Sequence, residues 1–423
     1  MSYKTLRKAF HDPTVDEAAL YNERFNSEST VHLNFTIAGY PAFFIMCPEI
    51  YTNIIDARRL DKDIFTLTTR LPGKALDHYT THCLIDEVVL TNEIEGVNSS
   101  RREIEEVLEH LQNNDRKGRF YGIVSKYLLL QSNEPLALEN NHHIRKLYED
   151  LVLDEVIASN KNNYPDGSIF RKESVSIYDP AGRVIHNGVE PEKKIIDYMQ
   201  HALDVLNNNS LDLIVRVSLF HFLFGFIHPF YDGNGRINRF ISSYLLAHDF
   251  EPIIGYRLSY TIKENREKYY TGFTLCEHSL NKGDLTPFIV MFSEIIVEAI
   301  TSMKNSLIER KMALDDLVEA IPYSEVAKSD THLQELMHIL IQATLFSEEG
   351  ITVTELQAIF TTSKPTLYKR IKLLTDKNLV VKKQLGHKHY YRINSDTLQA
   401  QRSAALAILD RYVGTDDLCV TLR

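Results

Sequence analysis

At 423 residues the chain exceeds what one compact core organises, so two or three domains are expected. Apolar and charged fractions of 44% and 25% are those of a globular protein, and a net charge of −10 argues against non-specific nucleic-acid binding by the chain as a whole. Four cysteines without a CxxC pair (Cys47, Cys83, Cys276, Cys419) argue against a zinc site or disulfide framework and fit a reducing compartment. The first thirty residues hold no apolar leader, and the most apolar stretch, Val217 to Ile227, is too short to span a bilayer. A cytoplasmic protein without a membrane partner is expected.

In chain order, Leu76 to Gly96 has helical spacing, with Leu84, Ile85, Val88 and Val89 inward and Gly96 as the stop. Ser100 and Glu103 read as a capping box opening a helix over 101–111. Amphipathic helices follow over 143–157 and 191–206. Between them, Glu173 to His186 alternates around Val175, Ile177, Val184 and Ile185, with a turn at Asp179-Pro180-Ala181-Gly182. It reads as the only clear hairpin in the first 320 residues. Leu211 to Phe230 is apolar almost all round, as a central bundle helix is, and Pro229 ends it. Helices continue to about Ala320, and Ile321-Pro322-Tyr323 begins a linker.

The segment 351–395 differs electrostatically. It holds nine Lys/Arg and two Asp/Glu, a local +7 in a chain of net −10. A first helix runs to Phe360, and Thr362-Ser363 caps a second that carries Lys364, Lys369, Arg370 and Lys372. Two alternating strands flank Gly386. The segment looks like a winged helix-turn-helix that would place its second helix in a DNA major groove; the competing reading is a protein-contact or dimerisation module. A helix and a short tail follow Asp396.

The densest chemistry lies at His228-Pro229-Phe230-Tyr231-Asp232-Gly233-Asn234-Gly235-Arg236-Ile237-Asn238-Arg239. A buried helix delivers His228 to a short loop. Gly233 and Gly235 let backbone N–H groups crowd an anion, and a new helix starts at once with its positive dipole end. Arg236 and Arg239, three apart, share one face and suit phosphate oxygens. Asp232 is the loop's only carboxylate and a hard ligand suited to Mg²⁺. Histidine is the natural base near neutral pH.

This run resembles the Fic family signature, HPFx[D/E]GNGRxxR, at every specified position. The resemblance implies a mainly α fold, a Fic helical bundle with a hairpin flap. It implies protein adenylylation: AMP passes from ATP to a Ser, Thr or Tyr hydroxyl of a protein and pyrophosphate leaves. His228 would be the base and Asp232 the Mg²⁺ ligand. Asn234 would hold the α-phosphate, the amides of Gly233 and Gly235 would form the anion nest, and Arg236 and Arg239 would take the β- and γ-phosphates. Phe230 would anchor the core. The flap would be Val175, Ser176, Ile177 and Tyr178, pairing with an extended target segment. Tyr269, Tyr270 and Asn281 resemble adenine- and ribose-side residues.

Thr91-Asn92-Glu93-Ile94-Glu95-Gly96 is similar to the [S/T]xxxE[G/N] helix of the family's self-inhibited class. Thr91, Glu95 and Gly96 would then be inhibitory, with Glu95 paired to Arg239, and a homodimer would be expected. The implied organisation is an N-terminal helical region over 1–115, a Fic domain over 116–320, a winged helix over 325–398 and a helical tail over 399–423. Two alternatives stay open: an ATP-sensing regulator that binds DNA, and AMP removal or another nucleotidyl transfer at the same site.

Overall fold

The computed structural model describes residues 3–178, 184–328 and 330–416, with backbone alone for Gln112, Tyr178, Ile185 and 409–416. The expected turn at Asp179, Pro180, Ala181 and Gly182 lies outside the described residues. The fold is mainly α, with three small antiparallel sheets. By contacts the chain divides into two units, Met1–Phe65 with Cys83–Lys304, and Thr66–His82 with Asn305–Arg423.

The first unit is built around the helix Leu213–Ile227. Asp212 caps its start by accepting from the Ile214 N–H, and all but three of its fifteen side chains are buried. The helices Glu192–Leu206 and Asn234–Asp249 pack against it. The expected helix over 143–157 is present but interrupted. Asn141–Tyr148 and Asp154–Ser159 flank a π-helical turn at Glu149–Leu153, a device that shifts side-chain phase within one rod. The capping box at Ser100 and Glu103 is formed in both directions.

Sequence reasoning missed a hairpin. Thr30–Ile37 pairs with Tyr40–Ile45 through a two-residue turn in which Ala38 and Gly39 both have positive φ. Such turns favour Asn-Gly or Asp-Gly, and an alanine in the left-handed region gives no turn signal. The Phe43 N–H donates to Gly283 O and its carbonyl accepts from Leu285 N–H, which fastens the segment around 283–285 to this hairpin.

The second unit contains the helices Thr331–Phe346, Val353–Ile359 and Lys364–Asp376 and a three-stranded sheet. Val380–Leu385 and Lys388–Ile393 pair across a tight turn at Gly386, and Ile351–Thr352 adds to the second strand. Leu340, Leu356, Leu367, Ile371, Leu374, Tyr391 and Ile393 form its core. Thr352 with Glu355, and Ser363, cap the second and third of these helices. Among the described residues one helical stretch, Thr286–Tyr323, is long and apolar enough to cross a membrane by length and composition, and 61% of its apolar window is buried inside the protein.

Candidate active site

The loop after Leu213–Ile227 is braced from outside the motif. His228 terminates the helix in the left-handed region, φ 54°, a strained position for a residue with a β-carbon. Fully buried Arg171 holds it there. Its Nε donates to His228 O at 2.8 Å, and its two terminal nitrogens donate to Glu173 O at 2.7 Å and Val189 O at 2.9 Å. A cation among carbonyls at a helix C-terminus satisfies groups that no amide reaches. Nothing in the sequence marks Arg171 for this task.

His228 Nδ1 lies 3.3 Å from Gly225 O. A carbonyl only accepts, so Nδ1 carries the hydrogen and Nε2 keeps its lone pair. Burial pushes the His228 ring down to about 4, and the Gly225 carbonyl works weakly against that shift. The imidazole is therefore neutral near pH 7 and able to accept a proton.

Phe230 is buried and stacks on Tyr148 with ring centroids 3.7 Å apart. Asn234 clamps the same residue: its Oδ1 accepts from the Phe230 N–H at 3.0 Å and its Nδ2 donates to Phe230 O at 2.8 Å. One Nδ2 hydrogen and one Oδ1 lone pair are thus spent on bracing the loop, and the second Nδ2 hydrogen is not used in it. Its backbone N–H is available to an anion as well.

The helix Asn234–Asp249 begins without a side-chain cap, and its first backbone bond is from Ile237 N–H to Gly233 O. The amides of Asn234, Gly235 and Arg236 precede that bond, so this is an anion-seeking helix start. Gly233 turns the chain in at φ 82°. The Asp232 Oδ1 accepts from the Gly233 N–H at 2.5 Å. Among the described residues no cluster of three or more His, Cys, Asp or Glu is arranged to hold a metal ion. A lone carboxylate beside an anion site still fits Mg²⁺, which binds through one or two carboxylates plus phosphates and water.

The two arginines differ. Arg236 is buried and ion-paired to Glu155, which also meets Arg119 at 3.3 Å. Glu155 was not foreseen, and a phosphate must share Arg236 with it. Arg239 is buried, with Nη2 2.8 Å from Glu95 Oε1. Its Nε donates to Thr91 Oγ1 at 2.8 Å and its Nη2 to Thr91 O at 3.0 Å. Burial alone would lower the Arg239 pKa; the Glu95 carboxylate outweighs it and the value is raised. A β-carbon on Gly235 would collide with the Glu95 carboxyl, so a glycine there lets the carboxylate settle on the helix start. Gly96, φ 72°, follows the helix Gly73–Ile94 that carries Thr91. On the same helix, fully buried Glu87 accepts from the Ser259 N–H at 3.0 Å and from its hydroxyl at 2.5 Å.

The hairpin strands are Ser176–Tyr178 and Val184–Asn187, with Ile177 opposite His186. Val175 O accepts from the Gly188 N–H at 2.9 Å. A β-carbon at Gly188 would lie 3.2 Å from that of His228, so the base of the hairpin sits against the histidine.

Two residues expected to touch a nucleotide belong to the interior. The Tyr269 hydroxyl bonds buried His221 at 2.7 Å, and the ring is 5% exposed. Asn281 is fully buried, its Nδ2 donating to Asp284 O at 2.6 Å in the turn docked on the first hairpin. Tyr270 is exposed and lies under the Arg266 guanidinium.

Fold and site together define a helical domain organised around an uncapped helix start with a neutral histidine at its rim. The family model described as "Fic/DOC family" matches residues 140–246, the stretch that holds the whole of His228 to Arg239. A protein adenylyltransferase fic-1 from Caenorhabditis briggsae is 32% identical over 36% of this chain and 27% of its own length. The Caenorhabditis elegans fic-1 is 27% identical over 34% and 27%, and a protein adenylyltransferase Fic from Drosophila mojavensis 28% over 39% and 29%. The chain thus matches under a third of the length of these relatives. A Fic family protein structure from Desulfovibrio desulfuricans G20 superimposes with a TM-score of 0.48 at 17% identity, covering 82% of this chain and 97% of that one.

Proposed function

We propose that the protein transfers AMP from ATP to a hydroxyl side chain of a target protein and that Glu95 restrains it. The observation that carries the reading is the Arg239–Glu95 pair beside an uncapped helix start. An anion site is already filled by the protein's own carboxylate. The relatives named as adenylyltransferases support the choice of reaction.

In the transfer, His228 Nε2 takes the proton of the target hydroxyl. The hydroxyl oxygen forms a bond to the α-phosphorus while the bridging bond to the β-phosphate breaks, and pyrophosphate leaves with that electron pair. The amides of Asn234, Gly235 and Arg236 hold phosphate oxygens where charge gathers. Arg239, released from Glu95, takes the γ-phosphate. Mg²⁺ on Asp232 would neutralise charge shared by the phosphates. With Glu95 in place the γ-phosphate loses its arginine, and the α-phosphorus is misaligned for in-line attack.

The test is incorporation of label from α-³²P-ATP into the protein itself. Glu95→Gly is expected to raise it at least tenfold, and His228→Ala in that background to remove it by a factor of about 10² or more. Equal labelling of wild type and Glu95→Gly overturns the restraint; label that survives His228→Ala overturns the base.

The second unit supports a separate activity. We infer that it is a winged helix that binds DNA, because Lys364, Lys369 and Lys372 are exposed along one helix and Arg370 is half-exposed beside them. Cys47, Cys83 and Cys276 are buried, and a cytoplasmic setting is part of the proposal.

A further inference from the structure

One side chain of the hairpin has both of its polar atoms committed away from it. His186, on the strand Val184–Asn187, places Nε2 2.7 Å from Phe226 O, the carbonyl two residues before His228. Its Nδ1 lies 2.8 Å from Glu277 Oε2, at the end of the helix Arg266–Cys276. The Phe226 carbonyl is acceptor-only, so Nε2 carries a hydrogen. An ionised Glu277 is acceptor-only as well, so Nδ1 carries the second. Both side chains are largely shielded, 10% and 16% exposed, so water replaces neither bond cheaply.

We propose that His186 is a doubly protonated latch that fastens the hairpin to the end of the helix bearing His228, and that loss of its proton releases the strand. It is a positioning residue. Its consequence for target docking rests on the transferase reading, whereas the latch itself does not. Among the described residues, three charged or titratable groups face it. Glu277 favours the charged ring; Arg171 and His228 oppose it. Burial also opposes it, yet the His186 pKa is raised, because the carboxylate and the carbonyl together prevail. In return the His186 charge helps keep His228 unprotonated. With the folded value raised, the latch is complete below the ordinary histidine value and is lost as pH climbs through the raised one.

The experiment uses the full chain labelled with ¹⁵N at histidine, with His186 assigned by difference against His186→Gln or, should that variant not fold, His186→Asn. The expected result is an imidazolium signal, both nitrogens protonated, still present at pH 7. Glu277→Gln should move its titration to lower pH by about one unit or more. Amide exchange over Val184–Asn187, corrected for intrinsic rate, should accelerate at least tenfold at pH 7 in Glu277→Gln. A bare ring nitrogen at pH 6 in the wild type, or strand exchange indifferent to Glu277→Gln, overturns the latch. Self-labelling of Glu95→Gly is read in parallel: an intact latch in a protein that never labels itself counts against the transferase and for an independent latch.

Discussion

A histidine that must act as a base gains from burial only if it stays close to water-borne substrate. His228 is only partly exposed, and burial pushes it down to about 4. Its neutral form then persists through the range where an ordinary histidine, at 6.5, titrates. The kcat/KM of Glu95→Gly should therefore stay flat from pH 6.5 down to about 5.5, and a limb centred near 6.5 would refute the assigned base. Stability moves in the same window. A depressed histidine makes the unfolded chain bind more protons between pH 6.5 and about 4, so acidification through that range destabilises the fold. At this scale the motif was legible because its twelve residues are contiguous, and contiguity lets spacing stand in for geometry. Arg171 and Glu155 were not, since they reach the loop and Arg236 from 57 and 81 residues away. The burial of Tyr269 and Asn281 was not legible for a related reason: spacing places a side chain on a helix or turn but does not say what covers it.

At the level of elements, the helix Gly73–Ile94 presents Glu87 and Thr91 one turn apart, and Glu95 follows just beyond its end. Thr91 and Glu95 engage Arg239, while Glu87 is anchored by Ser259. The helix and the Glu95 pattern were readable from apolar period and composition; the anchor was not, because a mid-helix Glu reads as a solvated face. Burial lifts the Glu87 carboxyl from 4.5 to about 7, the Ser259 bonds and Arg239 resisting. A raised carboxyl stabilises the fold below its unfolded value, and that contribution disappears as pH rises through about 7. Glu87→Gln removes the titration. The melting temperature of Glu87→Gln relative to wild type should thus climb between pH 5 and pH 8, by several degrees if the full shift of roughly 3 kcal/mol is expressed. A difference independent of pH would mean that Glu87 is already ionised without cost. The hairpin Thr30–Ile45 escaped notice at this scale, its Ala38-Gly39 turn lacking the residues such turns prefer.

Across the whole molecule, the charge asymmetry visible in the sequence maps onto one folded unit. The +7 of 351–395 falls on the two short helices and the hairpin of the second unit, and the chain outside it is strongly acidic. Such a protein should show no appreciable affinity for DNA at high salt, because added ions screen the attraction of the basic face and remove the gain from counterion release. At low salt the basic face should win. If Lys364, Lys369, Arg370 and Lys372 each neutralise one phosphate, the affinity for duplex DNA falls with log salt at a slope of about −3.6, near 0.9 per contact. Lys364→Ala with Lys369→Ala should flatten that slope by about two and weaken binding to all sequences alike, as loss of phosphate contacts does. Fluorescence anisotropy of the full chain with a labelled duplex over a salt series measures both. A slope unchanged by the double substitution would assign the basic helix to protein contacts, and the DNA reading of the second unit would fall without touching the first.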